Sequence, residues 1–338
     1  MTATRRADFA STFKKSPATW LLVIVNVALY LVVSVQGGTF LNTAVTSPLL
    51  NDTVLVPYAL GFGQYWRLLS SGFMHFGLLH IVFNMYALWV LGRDVEGALG
   101  SLRFTALYLL SLLAGSATVV WFSSPESATA GASGAIFGLL GAELVVVMAL
   151  KAKLSGIITV IMLNVVIGIT QPGISIQAHL GGFVVGFLVA GAFIFVPMWV
   201  AKSRRRRNKA GGVMLHPETG EELPVYVTEK QVNAWGWGAT AVVAVLVIIA
   251  LVFGVENMQA LVNHATQMAR RWGRKRAASG RSGVTVPESN SGAEMLVVEV
   301  ADAGFFEVGD NTVGVDANIA PGDDLEGIAL AVLHSGER

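Results

Sequence analysis

Seven stretches of the chain are apolar over the roughly 17 to 25 residues that a membrane-spanning helix needs, or nearly so. The pattern predicts them at Thr19–Val35, Leu68–Leu91, Phe104–Phe122, Ala130–Leu150, Ser155–Gly168, Ile176–Val200 and Trp235–Phe253, the fifth being the shortest. The polar connections alternate in charge. Arg5, Arg6, Lys14 and Lys15 precede the first stretch; Arg93 and Arg103 follow the second; Lys151 and Lys153 follow the fourth; Lys202 and Arg204 to Arg207 follow the sixth. The connections 36–66, 123–129 and 170–175 hold no Lys or Arg at all. Basic connections stay in the cytoplasm, so the alternation predicts six spans with both ends cytoplasmic. The seventh then carries the C-terminus outward, with Trp235 and Trp237 as interfacial anchors.

Composition agrees with the lipid bilayer as the solvent. The 338 residues are 54% hydrophobic and 13% charged, and the mean hydropathy of +0.61 is too high for a soluble globular chain of this size. Nucleic acid is not an expected partner. The absence of cysteine excludes a thiol nucleophile and a thiolate zinc site. The apolar stretch from Trp20 ends in Gln36-Gly37-Gly38 without a small-x-small cleavage pattern, so it is expected to be an anchor and not a removable signal. A net charge of +1 hides an asymmetry, because eleven of the 22 acidic residues follow Arg281, where Arg338 is the one basic residue.

The expected organisation is therefore an all-α polytopic membrane protein. A cytoplasmic segment (1–17) leads into a six-helix core (18–200), a basic cytoplasmic loop (201–234) and a seventh transmembrane helix (235–254). In the basic segment 255–281, Val255, Met258, Leu261, Val262, Ala265, Met268 and Trp272 recur at helical spacing, which predicts an amphipathic helix lying on the membrane. The acidic tail (282–338), expected outside the cell, reads equally as a small folded appendage or a disordered tail.

Polar residues inside the membrane are expensive and are functional candidates by default. His75, His80 and Asn84 fall in the second predicted span, Ser133 near the outer end of the fourth and His179 near the outer end of the sixth, so three distant helices bring polar groups to one layer. On a helix, His80 and Asn84 lie about 40° apart and share a face. His179, Gly182, Gly186 and Ala190 form another face, and Gly134, Gly138 and Gly141 a comparable one, the small-residue stripes that let membrane helices approach closely. If those stripes meet, His179 reaches the level of Ser133, and a neutral imidazole is the natural base for a serine hydroxyl. Taken alone, each residue has a plainer role: Ser133 as a packing residue, Asn84 and His179 as interhelical hydrogen bonders. A metal is not expected, since His75 and His80 would stand about 140° apart on a helix with no intramembrane carboxylate beside them. No cofactor is implied.

The motifs resemble those of the rhomboid family of intramembrane serine proteases. Tyr65 to Ser101 carries the Trp66-Arg67 pair, the His75, His80, Asn84 spacing and the later Gly92, Glu96 and Gly100; "GASG" (Gly131 to Gly134) and "AHLGGFVVG" (from Ala178) match two further family motifs. The similarity covers about residues 18–200 and implies a six-helix rhomboid core followed by a seventh helix. It implies Ser133 as nucleophile and His179 as base, with the side chains of His80 and Asn84 and the Ser133 backbone N–H as the oxyanion hole. Gly182 and Gly186 are implied packing residues, and Trp66, Arg67, His75, Glu96 and Gly131 belong to the structural motifs. Phe137 departs from the family, where tyrosine is common, which keeps an aromatic face for His179 and removes a hydroxyl. The implied function is cleavage of single-pass or polytopic transmembrane substrates near the outer face, with a bacterial plasma membrane as the expected location and the N-terminus in the cytoplasm. The alternatives are a proteolytically inactive rhomboid-like protein that binds clients, and a transporter using His80 and His179 as proton relays, for which internal repeats are expected and not found.

Overall fold

The computed structural model describes residues 15–41, 47–170, 173–210, 229–278, 296–300, 304–309 and 312–315. Helix α1 (Pro17–Gly37) is followed by a loop holding the short helices α2 (Pro48–Thr53), α3 (Pro57–Leu60) and α4 (Arg67–Ser70) and a single 3-10 turn (Ser71–Phe73). Then come α5 (Leu78–Leu99), α6 (Ser101–Phe122), α7 (Ser133–Ala149), α8 (Ser155–Thr170), α9 (Ile176–Ala210) and α10 (Glu229–Ala278). Residues 1–14, residues 211–228 of the expected basic loop and most of the acidic tail lie outside the described residues. Within that tail, β1 (Leu296–Val300), β2 (Gly304–Gly309) and β3 (Thr312–Val315) form an antiparallel meander, with Val298 opposite Phe306 and Phe306 opposite Val315. The described membrane part is all-helical; the strands are an addition to the expected all-α class, in Val-rich runs that favour extended pairing.

Among the described residues, four helical segments are long and apolar enough to cross a membrane: Pro17–Gly37, Ser101–Phe122, Ile176–Val200 and Asn233–Met268. Helices α7 and α8 are shorter, and α5 carries Arg93, Asp94 and Glu96 near its end, so these three depend on their neighbours. Leu21, Ile24 and Leu31 of α1, Val82, Phe83 and Tyr86 of α5, and Met162, Leu163 and Val166 of α8 are exposed. Apolar surface of that extent belongs against lipid tails. Leu88, Phe104, Leu107, Leu139, Val145 and Val189 are buried in the common core.

Backbone contact between α7 and α9 sits at the centre of the bundle. A side chain on Gly182 would strike the carbonyl oxygen of Gly134, one on Gly186 that of Gly138, and one on Gly141 that of Phe183. Helices this close gain dispersion contacts that larger residues would prevent. The α6 helix closes the layer, with Ser111 beside Gly138 and the Thr118 hydroxyl donating to the Gln177 carbonyl at 2.7 Å.

Two boundaries differ from the hydropathy pattern. The second span was expected from Leu68, but α5 begins at Leu78, after the short α4, the 3-10 turn and an extended stretch in which Met74 (ψ 149°) and Gly77 (ψ 172°) leave the helical region. The seventh was expected to end at Phe253 and the segment from 255 to form a separate element; α10 instead runs unbroken to Ala278. It packs parallel to α6. Arg103 donates to Asn233 at 2.6 Å near one end, and the Trp121 indole N–H to the Ala250 carbonyl at 2.9 Å near the other.

The end of the bundle opposite Ser133 is fastened by one carboxylate. Glu96, 2% exposed, accepts from the backbone N–H groups of Ala18 (3.0 Å) and Thr19 (2.8 Å) and from the hydroxyls of Thr19 (2.7 Å) and Ser101 (2.6 Å). It thereby caps the N-terminus of α1, where negative charge also meets the positive end of the helix dipole. Gly92, one turn earlier, lets Thr19 approach: a Cβ there would lie 2.7 Å from the Thr19 methyl. Glu96→Ala is expected to cost about 3 kcal/mol by leaving buried donors without an acceptor, and Glu96→Gln less. The midpoint of thermal unfolding in detergent reads both.

Candidate functional site

Three helix N-termini meet at the site. His80 is the third residue of α5, Ser133 the first of α7 and His179 the fourth of α9. First-turn N–H groups have no acceptor inside their own helix, and the positive ends of three dipoles therefore lie side by side at this end of the bundle. The hydropathy pattern, which starts this span at Leu68, sets His80 deeper in its helix; because α5 begins at Leu78, His80 stands in the first turn.

Gly131 organises the approach to Ser133. Its φ of +126° is a conformation that side chains avoid, and its N–H donates to the Ser71 carbonyl at 2.9 Å. A Cβ on Gly131 would lie 2.7 Å from His80 Nε2 and 3.7 Å from Ser133 Oγ. The missing side chain thus leaves a gap that the serine hydroxyl and the His80 imidazole both border. His80 is held from two sides: the His75 ring meets it edge-on with centroids 5.0 Å apart, and Phe76 stacks at 6.2 Å. The helical phase of about 140° between His75 and His80 does not apply, since His75 lies ahead of α5, which begins at Leu78.

His179 is 6% exposed and lies flat on Phe137, with ring centroids 3.9 Å apart and an interplanar angle of 11°. Phe137 is four residues after Ser133 on α7, so the stack brings the imidazole to the helix that carries the serine. The backbone agrees: a Cβ on Gly134 would lie 3.4 Å from the Ala178 carbonyl oxygen. Nδ1 of His179 is buried without a hydrogen-bond partner among the described residues and faces Gly168 of α8, where a Cβ would lie 3.8 Å away. Asn84 is buried, and its amide turns back to donate to the His80 carbonyl at 2.9 Å. One of its two N–H donors is occupied there.

The loop between α1 and α5 is built around Arg67. The guanidinium, 1% exposed, donates to the Gln64 side chain (2.6 Å) and to the carbonyls of Asn51 (2.6 Å) and Val54 (2.8 Å). The Trp66 indole donates to the Asp52 carbonyl at 2.8 Å, and the Ser70 hydroxyl to that of Thr53 at 2.8 Å. Leu55 and Thr129 exchange backbone hydrogen bonds at 2.9 and 2.8 Å, tying this loop to the segment that enters Ser133. Arg67 is the sequence's best clue to this scaffold, an arginine in a connection otherwise free of basic residues.

A helical bundle with a lipid-facing apolar surface and a polar cluster at one end defines an integral multi-pass membrane protein. Residues 62–195 match the Rhomboid domain family. The chain is 33% identical over 195 residues to the rhomboid protease GluP of Bacillus subtilis, covering 56% of this chain and 37% of that protein. It is 37% identical over 145 residues to RHOMBOID-like protein 5 of Arabidopsis thaliana (40% and 47% covered) and 38% identical over 143 residues to RHOMBOID-like protein 2 of the same plant (40% and 44%). Residues 62–195 are thus similar to a rhomboid domain, and the matched part of the chain spans about a third to a half of the length of these relatives.

Arg67→Lys is expected to keep the charge and lose the fork that reaches three acceptors at once. Hydrogen exchange at residues 51–56 should then speed up by about tenfold or more, corresponding to a lost contribution of about 1.4 kcal/mol, while α6 and α7 keep wild-type protection.

Proposed function

We propose that the chain is an intramembrane serine endopeptidase with a six-helix rhomboid core and a seventh helix, in which Ser133 and His179 form the catalytic dyad. The observation that carries this reading is the Phe137–His179 stack, which holds an imidazole against the helix whose first residue is Ser133. Names of relatives such as the rhomboid protease GluP support the same class.

Ser133 Oγ attacks the carbonyl carbon of the scissile peptide bond while His179 takes the hydroxyl proton. The tetrahedral oxyanion is met by the Ser133 backbone N–H, His80 and the second N–H of the Asn84 amide, with the three helix dipoles adding to the positive potential. His179 returns the proton to the departing amine. Water then attacks the acyl ester, His179 again taking and returning a proton, and Ser133 is regenerated. Helical carbonyls are already hydrogen-bonded, so a substrate has to unwind locally at its cleavage point. Transmembrane proteins with helix-weakening residues near the outer end of a span and small side chains at the scissile bond suit the gap beside Gly131. The expected setting is a bacterial plasma membrane with the N-terminus in the cytoplasm.

The test is cleavage of such transmembrane segments by purified protein in liposomes. Ser133→Ala and His179→Ala are expected to lower kcat by about 10³-fold or more, and Asn84→Ala by about 10²-fold, without loss of thermal stability. Wild-type turnover in folded Ser133→Ala would contradict the mechanism. A folded wild type that binds these segments and never cleaves them would favour a client-binding role.

A further inference from the structure

Helix α10 runs on past its exposed apolar surface. Between Val242 and Phe253 its exposed positions are apolar, among them Val245, Leu246, Ile249 and Val252. From Glu256 on the exposed positions are mostly polar, among them Glu256, Asn257, Asn263, His264 and Gln267. The run of exposed apolar side chains therefore stops near Phe253, yet the helix continues to Ala278 and stays buried on its inward side at Met258 and Val262. Leu251 packs with Ala114 and Ala117 of α6, and Gly254 lies against Val120 and Trp121. Beyond that point the stripe lands on the loop built around Arg67. Met258 is buried with Leu55 and Leu60, the Gln259 amide donates to the Tyr65 hydroxyl at 2.7 Å, and Val262 covers Gly61 so closely that a Cβ there would lie 2.5 Å from its methyl.

We propose that the outer extension of α10 is a clamp that fixes the loop 54–66 and, through it, the geometry around Ser133. The path is short. Leu55 is paired with Thr129, two residues before Gly131, and the carbonyl of Val54 is held by Arg67. Movement of this loop pulls on the segment 129–131, whose Gly131 sets the gap between His80 Nε2 and Ser133 Oγ. Met258, Gln259 and Val262 touch no reacting atom; they are positioning residues. The loop stays seated during turnover, and substrates reach Ser133 from the side away from α10. This rests on the reading of Ser133 as the nucleophile.

The native chain has no cysteine, so an engineered pair reports cleanly. In the purified protein, Gly61→Cys with Val262→Cys joins the loop to the helix; the second change removes the methyl that the new side chain would strike, and the Met258 carbonyl oxygen, 2.9 Å from that Cβ, has to give by a few tenths of an ångström. The oxidised pair is expected to label with a fluorophosphonate and to cleave a transmembrane substrate within about twofold of wild type. Val262→Asp is expected to raise hydrogen exchange at 54–66 and at 129–131 and to lower kcat about tenfold with KM within about twofold, the split of a displaced catalytic geometry. Gln259→Ala removes one hydrogen bond and guards against a variant that fails to fold; it should act in the same direction by a smaller factor. Cleavage that stops on oxidation and returns on reduction would overturn the clamp, because the loop would then have to lift. So would wild-type exchange at 54–66 and wild-type kcat in a folded Val262→Asp. If the wild type itself neither labels nor cleaves, the protease reading fails, and the exchange at 129–131 alone decides whether the clamp exists.

Discussion

Everything at the Ser133 end depends on two helices touching through their backbones. Gly182 and Gly186 of α9 sit against the carbonyls of Gly134 and Gly138 of α7, and this contact fixes how far His179 stands from the helix that begins at Ser133. In a bilayer no hydrophobic effect drives helices together, so close packing of small residues has to supply the attraction. A methyl group at either α9 glycine would strike an α7 carbonyl oxygen, so the two helices would have to separate. The catalytic reading is thus a consequence of packing, one layer removed from the reacting atoms.

The same economy of polar groups recurs at both ends of the bundle. Glu96 satisfies the start of α1 on one side, and Arg67 satisfies three acceptors of a loop on the other. Each is buried with several hydrogen-bond partners, which is the condition under which burial of such a group is tolerable. The N-termini of α5, α7 and α9 carry His80, Ser133 and His179, and the gap at Gly131 is bordered by the first two. A site that accumulates negative charge on a substrate oxygen suits such an arrangement, since the positive potential is in place before the reaction begins.

Much of this was legible in the sequence, and the exceptions have physical causes. Spans were readable from hydropathy because lipid selects for apolar surface regardless of partners, and the glycine stripes from their spacing of three and four. The start of α5 was not, because Leu68, Leu69, Phe73 and Met74 are as apolar as a spanning helix, while the structure spends them on a short helix, a 3-10 turn and an extended stretch ahead of Gly77. The packing of His75 on His80 was hidden for the same reason. Glu96 was recognised as part of a motif, yet its partners Ala18 and Thr19 lie 78 and 77 residues earlier, beyond any local pattern. The outer part of α10 read as an interfacial helix because an apolar stripe looks alike against lipid and against a protein loop; only the fold brings Gly61 and Tyr65 to it.

The central claim is that the environment of Ser133 makes one hydroxyl a nucleophile. Labelling the detergent-purified protein with a fluorophosphonate and mapping the adduct by tandem mass spectrometry tests it most directly. A single adduct on Ser133, lost in His179→Ala, is the predicted result; a folded wild type that stays unmodified while a known rhomboid protease is labelled in parallel, or one modified at another serine, would contradict the account.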